Sequence, residues 1–285
     1  MKPIVAIIAQ GSMGSGVGRR LAEHGIEVRT SLAGRSESSA SRARAAGMKP
    51  AGDDEIAACD FLLSIVPPSD ALSLAQRFAE SLTRARRKPV YVDCNAVNPE
   101  TVGAIASVVA GTGCPFVDAS IIGGPPKPRE HGPRFYASGP DAGRFEALIP
   151  YGVEVRVVSA EVGDASALKM SYAGITKGLS ALGTAMFLAS TRAGVADPLR
   201  RELAESQPGL HAWFGRTLPG MFGKAYRWVG EMEEIAAFVS EDEAAEQIFR
   251  GAAGLYKRMA ADGETTGAET GPLKSFLAQW TPSKS

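Results

Sequence analysis

The strongest constraint on this chain lies at its start. A five-residue apolar run, Ile4-Val5-Ala6-Ile7-Ile8, passes directly into Ala9-Gln10-Gly11-Ser12-Met13-Gly14. An amphipathic stretch follows, with Val17, Leu21 and Ala22 on one face, and Gly25 ends it before IEVRTSL. Strand, glycine turn, helix and strand in close succession open a βαβ unit. Further strand-like runs are FLLSIV at 61–66, PVYVD at 89–93, PFVDASII at 115–122 and RFYAS at 134–138, most of them separated by helical segments rich in Ala, Leu and Glu. Continuous apolar strands alternating with helices predict a parallel sheet covered on both faces.

The first turn carries chemistry. The dinucleotide fingerprint G-x-G-x-x-G has Ala9 at its first position here, followed by Gly11 and Gly14. Gly11 lets the backbone approach a pyrophosphate, Gly14 lets the helix pack tightly, and the helix N-terminus offers free N–H groups to the phosphates. Gly11, Ser12, Met13 and Gly14 are therefore expected to bind a cofactor. The end of the second strand distinguishes two cofactors. NAD sites place an acid there for the ribose 2′-OH, whereas this sequence reads Ser31-Leu32-Ala33-Gly34-Arg35-Ser36. Arg35 can pair with a 2′-phosphate, and Ser31 and Ser36 can donate to it. The expected cofactor is NADP.

Composition excludes other classes. The 285 residues carry 31 basic and 31 acidic side chains, so no global field favours nucleic acid or an anionic membrane. The densest basic cluster, Arg84, Arg86, Arg87 and Lys88, reads as a solvated helix end. No run approaches the ~20 apolar residues of a membrane helix, and the apolar start is too brief for a signal peptide, which points to the cytoplasm. Cys59, Cys94 and Cys114 are widely spaced and read as buried thiols, and no residues have metal-ligand spacing. From Asp164 to about Arg192 the residues are mostly Ala, Gly, Ser, Leu and Met without proline, with Asp164 as the N-cap. Such a helix runs roughly 40 Å, and its low charge suits burial on most sides. A short helix around Leu273–Trp280 closes the chain.

Four ordered segments carry a resemblance over nearly the whole length: AQGSMGSGVGRRLAEHG, FLLSIVPPSDA, VDASIIGG and GDASALKMSYAGITKG. Together they resemble the β-hydroxyacid dehydrogenase superfamily, which includes 6-phosphogluconate and 3-hydroxyisobutyrate dehydrogenases and the imine reductases. Within it, the chain is most similar to a branch with a KMSYAG-type helix and a RWVGEMEEIA-type segment. The resemblance implies an α/β Rossmann-like domain at 1–160, an all-α domain at 161–285 and a long helix joining them. It further implies a homodimer with the active site in the interdomain cleft, a small-molecule substrate, and no nucleic-acid or membrane partner. Lys169 stands where the family places its catalytic lysine. Burial and a cationic nicotinamide both favour a neutral amine, able to take a hydroxyl proton as hydride leaves. By the same analogy Val66 and Pro67 pass beneath the cofactor and Asn95 meets its ribose.

The chain also departs from the family. Asparagine often stands four residues after the lysine; here that position is Ala173, and Tyr172 or Thr176 is the candidate replacement. Lys177 is a rival base. The family's V-S-G-G serine binds a substrate carboxylate, but the segment here is Ser120-Ile121-Ile122-Gly123-Gly124, so Ser120, Ile122 and the backbone of Gly123 and Gly124 are the candidate substrate contacts. The loop PPKPREHGPR offers Lys127, Arg129, His131 and Arg134. A Lys-Asp pair common on a later helix corresponds to Glu231, Glu233 and Glu234, of which Glu231 is a candidate substrate contact. The leading reading is an NADP-dependent oxidoreductase interconverting a hydroxy compound and its ketone. An imine reductase and a non-catalytic NADPH-binding sensor or scaffold are the alternatives.

Overall fold

The computed structural model describes residues 2–127 and 132–280. The chain divides into two compact units, Met1–Met170 and Ser171–Ser285, so the start of the long helix belongs to the first unit.

In the first unit, strands and helices alternate as β1 (Ile4–Ile8), α1 (Ser12–Glu23), β2 (Glu27–Thr30), α2 (Glu37–Ala45), β3 (Lys49–Pro50), α3 (Asp53–Ala57) and β4 (Phe61–Ser64). They continue as α4 (Pro68–Arg84), β5 (Val90–Asp93), α5 (Pro99–Ala110), β6 (Phe116–Ile122), β7 (Arg134–Ser138), α6 (Ala142–Phe145) and β8 (Glu154–Ser159). The sheet order is β3-β2-β1-β4-β5-β6-β7-β8. Every pairing is parallel except β6 with β7. The order reverses between β1 and β4, and ligands of open α/β sheets bind beyond the carboxyl ends of strands at such a switch.

Alternate residues of each strand feed two cores, as period-two geometry requires. Val5 and Ile7 join one cluster with Val28, Leu63 and Val92. Ala6 and Ile8 join the other with Leu62, Phe78 and Tyr91. Helix ends follow local chemistry. Asn98 caps α5 by accepting from Thr101 N at 2.9 Å, with Pro99 in the first turn. The basic cluster closes α4: Lys88 Nζ donates to the carbonyls of Leu82 and Thr83 at 2.8 and 2.9 Å, and Arg84 and Arg87 pair with Asp54 and Asp60. Cys59, Cys94 and Cys114 are buried free thiols.

Helix α7 spans Asp164–Arg192, the bounds its composition predicts. The second unit contains its remainder, then α8 (Ala196–Ser206), α9 (Pro208–Thr217), α10 (Ala225–Phe238), α11 (Glu243–Glu264) and α12 (Thr270–Ala278). An aromatic core gathers on Phe187, whose ring lies 5.2 Å from Phe214 and 4.8 Å from Trp280. Leu168, Tyr172, Ile175, Leu182 and Met186 are exposed in the single chain, and their spacings of three, four and seven residues put them on one stripe. Among the described residues no helix is long and apolar enough to cross a membrane, and no three His, Cys, Asp or Glu side chains form a metal-ligand group.

Candidate active site

The glycine turn leaves β1 at the switch point. Gly11 is the N-cap of α1, with an ordinary φ of −67°. A Cβ placed on it meets nothing within 4 Å, so neither packing nor backbone conformation of the protein itself calls for glycine there. The open space above Gly11 and the free N–H groups of α1 fit a pyrophosphate. Gly14 differs: a Cβ on it would overlap the Ala9 carbonyl oxygen. Ser12 is exposed as the first residue of α1. Met13 packs against the core.

Gln10, between these residues, was not singled out from sequence. It is buried, and its amide donates to Ser31 O at 2.9 Å and to Thr30 Oγ1. Thr30 Oγ1 in turn donates to Ile7 O at 2.7 Å. Gln10 thus ties the end of β1 to the end of β2. The only sequence signal was a polar residue inside an apolar-to-glycine junction.

No carboxylate stands in the 31–36 segment after β2. Arg35 is exposed, following Gly34 at a φ of +68°. Ser36 caps α2, accepting from Ser39 N at 3.3 Å. Ser31 is buried, and its hydroxyl accepts from Arg77 Nη2 at 2.9 Å while Arg77 also pairs with Asp53 at 2.6 Å. Arg42 reaches back to the turn, donating to Gln10 O at 2.8 Å. This corner therefore holds three arginines and several hydroxyls.

At the ends of β4 and β5, Asn95 Oδ1 accepts from Val66 N at 2.7 Å, and Nδ2 donates to Ser64 Oγ at 2.8 Å and to Asp93 Oδ2 at 3.0 Å. Asn95 is buried, so its amide joins two strand ends. Val66 is half-buried and Pro67 exposed at the start of α4. Asp93 is buried with its carboxyl pushed up to about 8, burial outweighing the hydrogen bonds from Asn95.

Lys169 is half-buried on α7, and its Nζ donates to Ile121 O at 2.7 Å. That carbonyl lies near the end of β6, followed by half-buried Ile122 and exposed Gly123 and Gly124. Ser120 is fully buried on β6, and among the described residues its hydroxyl finds no partner. Asp164 differs from expectation, since it is exposed within the first turn of α7, and the helix start is bonded by Asp118 and Ser138 instead. In the loop after β6, Lys127 is exposed and Arg134 pairs with Glu154; Arg129 and His131 lie outside the described residues.

In the second unit, Tyr172 is exposed and Thr176 Oγ1 donates to Tyr172 O at 2.9 Å. Lys177 forms a close ion pair with Glu231, and its Nζ stands 5.5 Å from the Trp228 ring centre. Glu231 is buried whereas Glu233 is exposed, so only part of the acidic run is a solvated face.

Residues 4–150 match the NAD binding domain of 6-phosphogluconate dehydrogenase, and residues 191–259 match a domain of unknown function, DUF1932. The chain belongs to the 6-phosphogluconate dehydrogenase-like superfamily. Among solved structures, it is 33% identical to a conserved protein of unknown function described as structurally similar to 3-hydroxyacid dehydrogenases, covering 91% of this chain and 98% of that one at a TM-score of 0.67. The Mycobacterium tuberculosis 3-hydroxyisobutyrate dehydrogenase solved with L-serine shares the fold at 18% identity, with 96% and 100% coverage and a TM-score of 0.72. So does an imine reductase from Myxococcus stipitatus in complex with NADP+, at 17% identity, 98% and 99% coverage and a TM-score of 0.57. A nicotinamide-dependent oxidoreductase is the function this superfamily supports for the chain.

Proposed function

We propose that this member of the superfamily is an NADP-dependent dehydrogenase or reductase that interconverts a hydroxy compound and its ketone, with Lys169 as general acid/base. The observation that carries this reading is the Lys169 amine held on the Ile121 carbonyl, beside the exposed Gly123-Gly124 backbone at the end of β6. When bound, nicotinamide supplies the hydride acceptor or donor. In the oxidative direction, the substrate C–H electron pair leaves as hydride and the hydroxyl proton passes to neutral Lys169 Nζ, leaving a ketone and an ammonium. In reduction, Lys169 returns that proton to the forming alkoxide.

Gly11 and the α1 N-terminus would hold the pyrophosphate, and Arg35 and Ser36 the 2′-phosphate. Arg35→Ala is expected to weaken NADPH binding at least about tenfold, the worth of one charge-assisted pair, while leaving NADH unchanged. Equal loss for both cofactors, or none, in a fluorescence titration would remove Arg35 from that role.

Ile122 has no hydroxyl to bind a carboxylate, which favours a substrate without one next to the reacting carbon. The same feature suits an imine, but a lysine amine that can take a hydroxyl proton favours the hydroxy compound. The exposed stripe on α7 supports a homodimer, because such apolar area is buried in stable assemblies. Ile175, at 72% exposure, is its most exposed member. Ile175→Glu is expected to shift the mass seen by light scattering from dimer to monomer. An unchanged dimer would place the interface elsewhere.

A further inference from the structure

The first turn of a helix has N–H groups with no partner inside the helix. In α7, the partners of those groups lie on β6 and β7. Gly163 N and Ser166 N donate to Asp118 Oδ2 at 3.0 and 3.1 Å, and Ser166 Oγ donates to Oδ1 at 2.8 Å. Ser138 Oγ donates to Asp118 Oδ2 at 3.0 Å and accepts from Ala165 N at 3.0 Å. Asp118, Ser138 and Ser166 are all buried. One carboxylate, in the interior of β6, therefore accepts from β7 and from the start of α7.

Three residues further along each element the same two segments meet again, where Lys169 Nζ donates to Ile121 O. Lysine has four flexible side-chain torsions, so its amine has a defined place only if the helix that carries it has a defined phase and height. The Asp118 contacts set both. Asp118 also sits in a buried polar row. Ser64, Asp93, Asp118 and Ser138 are cross-strand neighbours on β4, β5, β6 and β7. Burial raises the carboxyls of both Asp93 and Asp118, but hydrogen bonds from Ser166, Ser138 and Gly163 favour the charged form of Asp118.

We propose that Asp118 is a positioning residue for the Lys169 amine: its buried carboxylate locks the start of α7 onto β6 so that Nζ meets the Ile121 carbonyl. The inference rests on the reading of Lys169 as acid/base. A purely structural cap would cost stability when removed but leave the amine where it is in the folded protein.

The test is amine labelling of the full chain with trinitrobenzenesulfonate, read peptide by peptide by mass spectrometry, for wild type, Asp118→Asn, Ser166→Ala and Ser166→Thr. In Asp118→Asn and Ser166→Ala, Lys169 is expected to label faster by about fivefold, the change a lost helix cap makes to an opening equilibrium. Lys49 and Lys127, exposed elsewhere in the first unit, should label as in wild type, and Ser166→Thr should restore the slow rate. In the same variants kcat should fall while NADPH affinity holds. If Asp118→Asn does not fold, Ser166→Ala and its threonine rescue decide. Wild-type labelling of Lys169 in the folded variants would overturn the proposal. Absence of turnover in the wild type would instead remove the enzymatic reading, while the labelling would still report whether Asp118 places the amine.

Discussion

Gly14→Ala is expected to lower the stability of the first unit by ~3 kcal/mol or more, as overpacking against immovable atoms does. The added methyl would overlap the Ala9 carbonyl oxygen and stand 3.0 Å from its carbon. Both are backbone atoms, so no rotamer change relieves the clash, and α1 must move away from β1. That displacement opens the core contacts of Val17 and Leu21, both buried. For a unit of this size the loss corresponds to a melting temperature lower by roughly 6–12 °C. Gly11→Ala is the control, since its Cβ would meet no protein atom within 4 Å. It should melt as wild type but bind NADPH more weakly, because the methyl fills the space left for the pyrophosphate. Calorimetry with cofactor titration checks both. Equal melting of the two variants would contradict the division of roles between the glycines.

Lys169→Ala is expected to reduce kcat about 10²–10⁴-fold, the usual contribution of a positioned acid/base, with NADPH affinity unchanged. Its amine is held on the Ile121 carbonyl at the end of β6, whereas Lys177 is paired with Glu231. Lys177→Ala therefore leaves Glu231 buried without its ion-pair partner, which destabilises the second unit rather than removing a proton acceptor. Turnover measured under single-turnover conditions separates the two. A larger kcat loss in Lys177→Ala, with its melting temperature kept, would reassign the base.

The local pattern carried much of the fold. IVAII, FLLS and VYVD become β1, β4 and β5 because their apolar residues serve both faces of a buried sheet. Both ends of α7 were also legible, since a proline-free run of small and apolar residues marks them. The antiparallel turn of β7 and the edge strand β8 were not, because EVRVVS, partly exposed at the sheet edge, lacks the continuous apolar run of a central strand. The site divides the same way. Motif spacing singled out Gly11 and Gly14, and the family resemblance singled out Lys169. Neither revealed that Gln10 bridges to Ser31, that Asp118 serves α7 from 48 residues away, or that Lys177 meets Glu231 across 54 residues.

The central claim is tested most directly by titrating the purified full-length chain with NADPH and NADH by fluorescence, then adding hydroxy compounds, polyols, ketones and cyclic imines to the loaded protein. The account predicts tighter binding of NADPH than NADH and turnover of a hydroxy compound or ketone that disappears in Lys169→Ala. Failure of both cofactors to bind would contradict it, and binding without turnover of any of these classes would favour a sensor or scaffold over an enzyme.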